Sequence, residues 1–197
     1  MSDQETVDVY AAQADEYAAM TDEDNADDPA LTAFIAVIPS NGHVLDLGCG
    51  PGAAAGKMAQ AGLQVTATDA VSEMVALASQ HLGVNAVCAS FNDIDGTDIY
   101  DGIWANFSLL HAPKADMPRH LAALSKSLKP NGIFHIGVKE GIGEKRDGIG
   151  RKYSYYKLDE LNALLEDAGL SVKDHTSGCS LGMDGVMANW ICVRAYG

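Results

Sequence analysis

The chain has 197 residues, 47% hydrophobic and 20% charged, with a formal net charge of −14. That length suits one domain with a full core, and no apolar run approaches the ~20 residues that a bilayer span requires. So acidic a surface repels phosphate backbones, so neither nucleic acid nor a membrane is an expected partner.

The start, MSDQETVDVY, is acidic and polar, the opposite of a signal or transit peptide, and the expected location is the cytoplasm. Residues 1–30 hold ten acids and no Lys or Arg; they read as a solvated helix face and loop. Cys49, Cys88, Cys179 and Cys192 form no C-x-x-C pair and have no histidines at zinc-finger spacing. They read as reduced, mostly buried thiols, with no metal site.

Val7, Tyr10, Ala11, Ala14, Tyr17 and Ala18 recur at helical spacing and predict one opening amphipathic helix. TDEDNADDPA reads as a loop. Pro29 suits a helix start, Leu31, Phe34, Ile35 and Ile38 form a stripe, and Pro39 stops the helix. HVLDL (43–47) is a short strand running into glycines, AAAGKMAQAG a helix ending at Gly62, LQVTATD a strand and SEMVALASQHLG a helix. NAVCA and IYDGIWAN are two more strands, followed by a helix over 114–128, a KPNG turn and the strand IFHIGV. Residues 139–156 form a Gly-rich, charged segment, LDELNALLEDAGL a helix, and LSVKDHT and NWICVRAY two closing strands. Strands alternating with helices imply a mostly parallel sheet with helices on both faces. Ligands in such sheets bind beyond the C-terminal strand ends. The short connection between the last two strands suits an antiparallel hairpin.

The turn Gly48-Cys49-Gly50-Pro51-Gly52 lets a ligand approach bare backbone and points helix N–H groups at it. Nicotinamide and flavin enzymes use such turns too. Asp46, just before the glycines, would repel a pyrophosphate but welcome an ammonium or sulfonium. Asp69, ending the second strand, can accept both hydroxyls of a ribose.

VLDLGCGPG resembles the first motif of class I S-adenosylmethionine-dependent methyltransferases, and TDAVSEM their second. YDGIWANFSLLHAP is similar to their fourth strand and active-site loop, LKPNGIFHI to the turn into strand five, and YKLDELNALLEDAGL to the last helix. The resemblance runs from about Tyr10 to Tyr196. It implies an α/β Rossmann-like fold with a seven-stranded, mostly parallel sheet of order 3-2-1-4-5-7-6, strand 7 antiparallel. Residues 1–197 would form one domain, 1–40 a helical cap and 41–197 the core. It implies S-adenosyl-L-methionine as cofactor, S-adenosyl-L-homocysteine as product and a small-molecule methyl acceptor. Gly48, Cys49 and Gly50 would lie under the cofactor's methionine part, with Asp46 near its amino group and Tyr17 and Asn106 close by. Asp69 would hold the ribose, and Ala70 and Met74 would line the adenine. Ser90 stands where the family often has an acid for the adenine amine, and Phe91 could offer its N–H.

His111, just past strand four, is the candidate acid–base residue or, alternatively, a loop histidine that shapes the pocket. Tyr10 and Tyr17, seven residues apart, share one helix face. Residues 139–157 carry six of the thirteen basic residues and three acids. They read as a mobile lid for an anionic substrate, with Arg151, Tyr153 and Tyr155 as substrate contacts, or as a surface loop of mixed charge. A thiol, selenium or tellurium acceptor and a non-catalytic cofactor-binding module are the alternatives.

Overall fold

The computed structural model describes residues 3–25, with backbone only for 21–25, and residues 28–197. Seven strands form the central sheet: β1 (His43–Leu47), β2 (Gln64–Asp69), β3 (Val84–Cys88), β4 (Tyr100–Asn106), β5 (Leu128–Lys139), and the late pair Ser171–Leu181 and Met187–Tyr196. Between β5 and that pair lie two three-residue strands, β6 (Glu144–Arg146) and β7 (Lys152–Ser154), which pair only with each other. The late strands are therefore β8 and β9, and the sheet order is β3-β2-β1-β4-β5-β9-β8. The first five strands run parallel and β9 runs antiparallel to both of its neighbours. This is the order that the resemblance led us to expect. Strand order reverses between β1 and β4, the place where open sheets of this kind bind ligands.

The strands look uniformly apolar in sequence, but their period-2 alternation gives the sheet two different faces. One face presents Leu45, Leu47, Ile103, Ala105, Phe134, Ile136, Val138, Ile191 and Val193, all in one buried cluster. Helices α6 (Met117–Ser127) and α7 (Leu158–Asp167) cover it with Leu121, Leu124, Leu161 and Leu165. The opposite face carries Asp46, Trp104, Asn106, His135, Gly137, Lys139 and Cys192. Helices α3 (Pro29–Val37) and α4 (Ala53–Gln60) cover part of it, through Leu31, Phe34, Ala54 and Met58 against Val44 and Trp104. The uncovered remainder is where the site lies.

Several local expectations change. The opening helix is two helices, α1 (Gln4–Ala12) and α2 (Ala14–Asn25), because Gln13 leaves helical geometry at φ −118° and ψ 20°. Tyr10 and Tyr17 still meet, edge to face, with ring centroids 5.3 Å apart. The expected loop at 21–30 is helical through Asn25; residues 26 and 27 lie outside the described residues. Asp28 then caps α3, accepting from the Ala30 and Leu31 N–H groups. The helix expected over 114–128 opens with a 3₁₀ turn at Lys114–Asp116.

The KPNG turn lies inside β5, where pairing to β4 shifts register and Asn131 has φ 62°. Hydrogen bonds to and from Gly197 supply its ladder. The β8–β9 connection shrinks to residues 182–186, because Gly178 makes room for the Trp190 ring opposite and pairing continues to Leu181–Met187. Of the thiols expected to be buried, Cys192 is buried and Cys49 half-buried, but Cys88 and Cys179 are exposed. Those two lie on β3 and β8, the sheet's edge strands, each paired with a neighbouring strand on one side only.

Residues 139–157 also depart from a plain loop. The β6–β7 hairpin is tied to the acidic start of the chain. Arg146 makes two hydrogen bonds to the Asp3 carboxylate and pairs with Glu5, and the Lys152 N–H donates to Thr6 Oγ1 at 2.8 Å. Part of the acidic N-terminus is thus a counter-charge for this basic segment rather than a solvated face.

Gly102 on β4 lies under α3, where a Cβ would sit 2.4 Å from Ile38 Cδ1 and 2.7 Å from Phe34 Cζ. Gly102→Ala should therefore lower stability by about 1–3 kcal/mol through overpacking. A shift in the urea midpoint with an unchanged slope would check it; a midpoint equal to wild type would contradict this packing.

Candidate active site

β1 delivers Asp46 and then three glycines in left-handed geometry, Gly48 (φ 68°), Gly50 (φ 54°) and Gly52 (φ 88°). The Gly48 and Cys49 N–H groups donate to Thr68 O, which ties the turn to β2. A Cβ on Gly48 would lie 2.3 Å from Ser108 Cβ, so the turn closes against the β4 loop only without one.

Asp46 is only 3% exposed. Burial, reinforced by the charge of Asp69, pushes its pKa up to about 7 despite a hydrogen bond from the Ala55 N–H. Its Oδ2 has no hydrogen-bond partner among the described residues. Asp69 accepts from the Gly50 N–H and the Val71 N–H, each at 2.9 Å, while burial raises its pKa. Two carboxylates thus flank the turn, one with an oxygen still to satisfy. Burial, with both carboxylates nearby, raises the Cys49 pKa and holds it as the thiol.

A cavity of about 670 Å³ opens on the partly covered face, at the C-terminal ends of β1, β4 and β5. Asp46, Cys49, Asn106, Lys139, Arg151 and Tyr153 are among the residues that line it. A smaller cavity of about 80 Å³ is lined by Asp69, Ala70, Met74 and Phe91. Tyr10, Tyr17, Gly48, Gly50, Phe107 and His111 line both. Phe107, the residue after β4, is held at φ 53° with its N–H on Gly137 O. Such a backbone costs a non-glycine residue of order 1–3 kcal/mol and gathers at binding sites.

His111 is held at both ring nitrogens. Its Nδ1 lies 2.8 Å from Lys152 O, which can only accept, so Nδ1 carries the proton. Nε2 of the neutral ring then accepts from the Tyr10 hydroxyl at 3.0 Å, and the Tyr10 oxygen accepts from the Arg151 guanidinium at 3.0 Å. Burial lowers the His111 pKa to about 4, helped by the charges of Arg151 and Lys139 against the Lys152 hydrogen bond. The ring is therefore uncharged at neutral pH. Arg151 is itself buried against Asp147, whose Oδ2 lies 2.9 Å from Nε and 2.8 Å from NH2.

Residues 44–132 match the family model described as a methyltransferase domain. That stretch is a methyltransferase domain. The chain is 33% identical over 134 residues to a trans-aconitate 2-methyltransferase of Delftia acidovorans, a match covering 64% of this chain and 48% of that protein. It is 27% identical over 158 residues to a ubiquinone biosynthesis O-methyltransferase of Xanthomonas axonopodis pv. citri, covering 69% and 65%. The chain thus spans about half of the first relative's length and just under two thirds of the second's. Among solved structures it superposes on the Burkholderia thailandensis 1,6-didemethyltoxoflavin-N1-methyltransferase, crystallised with 1,6-didemethyltoxoflavin and S-adenosylhomocysteine. That match has a TM-score of 0.70 at 25% identity and covers 92% of this chain and 88% of that one.

The methyltransferase fold brings most of the sequence-derived residues to one place. Tyr17, Asp46, Gly48, Cys49, Gly50, Asn106, His111, Arg151 and Tyr153 line the larger cavity; Asp69, Ala70, Met74 and Phe91 line the smaller. Ser90 lines neither: its hydroxyl donates to Asp93 and accepts from the Asn92 N–H, capping a 3₁₀ turn. Tyr155 also lies outside both, although its ring is on the same side as Tyr153, 6.2 Å away. Trp104, Phe107, Lys139 and Trp190 line the larger cavity without having been singled out in the sequence. The missed signal was the strand alternation, which puts Trp104, Asn106 and Lys139 on one face.

The buried Arg151–Asp147 pair contributes to the stability of the fold. Burial alone would raise the Asp147 pKa, but hydrogen bonds from the Arg151 N–H and guanidinium, with its charge, leave the pKa lowered. Their contribution is present above the ordinary carboxylate pKa and is lost as pH falls through the depressed one. At neutral pH, Arg151→Ala should destabilise by about 3–5 kcal/mol by stranding a buried carboxylate. Adding Asp147→Leu to Arg151→Met should recover most of the loss. Thermal and urea unfolding of the three proteins would check it; a stable Arg151→Ala would exclude the pair as an anchor.

Proposed function

We propose that this protein transfers a methyl group from S-adenosyl-L-methionine to a small anionic molecule in the larger cavity. The observation that carries the reading is Asp46: a carboxylate buried at the end of the central strand, with Oδ2 unpartnered among the described residues and a glycine turn beside it. Such an oxygen calls for a cation, and the cofactor's ammonium is one. On this reading Gly48, Cys49 and Gly50 offer bare backbone to the methionine part, with Tyr17 and Asn106 beside it. Asp69, whose two oxygens each take one backbone N–H, keeps lone pairs for the ribose hydroxyls. Ala70, Met74 and Phe91 wall the smaller cavity for adenine, and Ser90 supports Phe91 through its cap. Residues 1–40 act as a cap over the 41–197 core, with Tyr10 and Tyr17 as its inner surface.

Bound there, the cofactor supplies a methyl group already activated by a positive sulfur. The chain's part is to position the acceptor and exclude water, which is worth up to ~7–11 kcal/mol in ideal cases. His111 has a narrow role in proton handling. With its pKa near 4 and Nε2 already accepting from Tyr10, it is a poor proton acceptor at neutral pH. The site therefore favours an acceptor atom that is ionised or bears a free lone pair on arrival. Lys139 and Arg151 in the lining, on a chain of net charge −14, support an anionic acceptor.

Calorimetry should find binding of S-adenosylmethionine and S-adenosylhomocysteine and none of NAD, and Asp69→Ala should cost roughly 1.5–3 kcal/mol of that binding. Binding of NAD alone would overturn the reading.

The raised pKa of Asp46 adds a pH test. A carboxyl whose pKa is raised in the fold favours the free protein at low pH, and that contribution is lost as pH rises through about 7. An ammonium ligand selects the ionised form, so S-adenosylhomocysteine affinity should rise between about pH 6 and about pH 8, with proton release on binding. Calorimetry in buffers of different ionisation enthalpy would measure the released protons, and Asp46→Asn should abolish them. Proton uptake, or no linkage in wild type, would contradict this role.

A further inference from the structure

The cavity holds two cationic side chains in unequal situations. Arg151 is neutralised by Asp147, donates to Tyr10 and contacts Met183 Sδ. The Lys139 ammonium, at the C-terminal end of β5, makes no ion pair or hydrogen bond among the described residues; its Nζ sits 3.9 Å from the Tyr153 ring centroid. Trp190 is its cross-strand partner on β9. The charges around it are Asp184 of the β8–β9 turn and Asp147 and Arg151 of the hairpin segment; burial, the largest influence, lowers its pKa. An ammonium in a half-buried aromatic setting is poorly solvated, and a ring face replaces only part of the lost hydration.

We infer that Lys139, not Arg151, is the group that selects the acceptor, by pairing with the carboxylate of a planar aromatic acid. This rests on the larger cavity being the acceptor site of the proposed methyl transfer. The ring requirement comes from the walls: Tyr10, Trp104, Phe107, Tyr153 and Trp190 all line the same cavity. Flat faces stack on flat ligands, and a single unpaired cation at the end of such walls fixes which end of the ligand carries the charge. Arg151 is then a positioning residue, holding Tyr10 and through it His111. The carboxylate could instead be that of the cofactor's amino-acid part, and the test separates the two sources.

The probes are benzoate and its uncharged isostere benzamide, titrated into the 197-residue protein with and without saturating S-adenosylhomocysteine, followed by tryptophan fluorescence. Wild type should bind benzoate at least tenfold more tightly than benzamide. Lys139→Met and Lys139→Gln should lose that preference while their S-adenosylhomocysteine affinity stays within about twofold, a difference of about 0.4 kcal/mol. Equal binding of the two probes, no measurable benzoate binding, or a preference that survives in both variants would overturn the inference. So would benzoate competing with S-adenosylhomocysteine together with tenfold weaker S-adenosylhomocysteine binding in the variants, which assigns the lysine to the cofactor. A benzoate preference that depends on Lys139 in a protein that fails to bind S-adenosylhomocysteine would sink the methyl-transfer reading and leave this anion site standing.

Discussion

Burying a carboxylate in a sheet centre costs several kcal/mol unless its oxygens are satisfied, and Asp46 is buried with one oxygen open. Asp69, at the end of the adjacent strand, adds repulsion, seen in the raised pKa of Asp46. A fold optimised only for stability would place an aliphatic residue there, as it does at Val44, Leu45 and Leu47 around it. The glycine turn, the left-handed Phe107 and the partly uncovered sheet face surround the same point. Each is locally unfavourable, and each leaves room or polarity for a ligand.

Charge distribution follows the same logic at longer range. The chain is strongly acidic, yet its basic residues between 139 and 157 mostly have specific partners. Arg146 takes Asp3 and Glu5, Arg151 takes Asp147, Lys152 takes Glu144, and Lys157 takes Glu140. The exposed pairs contribute little individually. The Arg146 pairs, together with the Thr6–Lys152 hydrogen bond, fix how α1 meets the hairpin, and so bring Tyr10 to His111. Lys139 is the cation of that segment which stays without a carboxylate partner among the described residues and also faces the cavity.

A histidine in an active-site loop suggests a general base, but here environment outweighs residue type. Desolvation removes the imidazolium form, and the Lys152 carbonyl fixes which nitrogen holds the proton. The Tyr10 hydroxyl occupies the remaining lone pair. His111 thus works mainly as a fixed hydrogen-bond acceptor that orients Tyr10.

While the strand order came with the family resemblance, the sequence alone determined the alternation of strands and helices, the glycine turn and its two carboxylates. These depend on local signals: apolar runs of strand length, glycines where φ must be positive, and acids at strand ends. It also placed Asn106, His111 and Tyr153 near the site, because residues just past parallel strands lie at the ligand edge of the sheet. Only the tertiary structure decided what Arg151 does, since its partner Asp147 is four residues away in a hairpin that forms against α1 from the other end of the chain. It likewise decided the protonation of His111, whose partners are 101 and 41 residues distant. Lys139 stayed hidden because IFHIGVK reads as one apolar strand ending in a charge. Its meaning came from alternation, which sets Lys139 on the face with Trp104 and Asn106, and from the lack, among the described residues, of any acid close enough to pair with it.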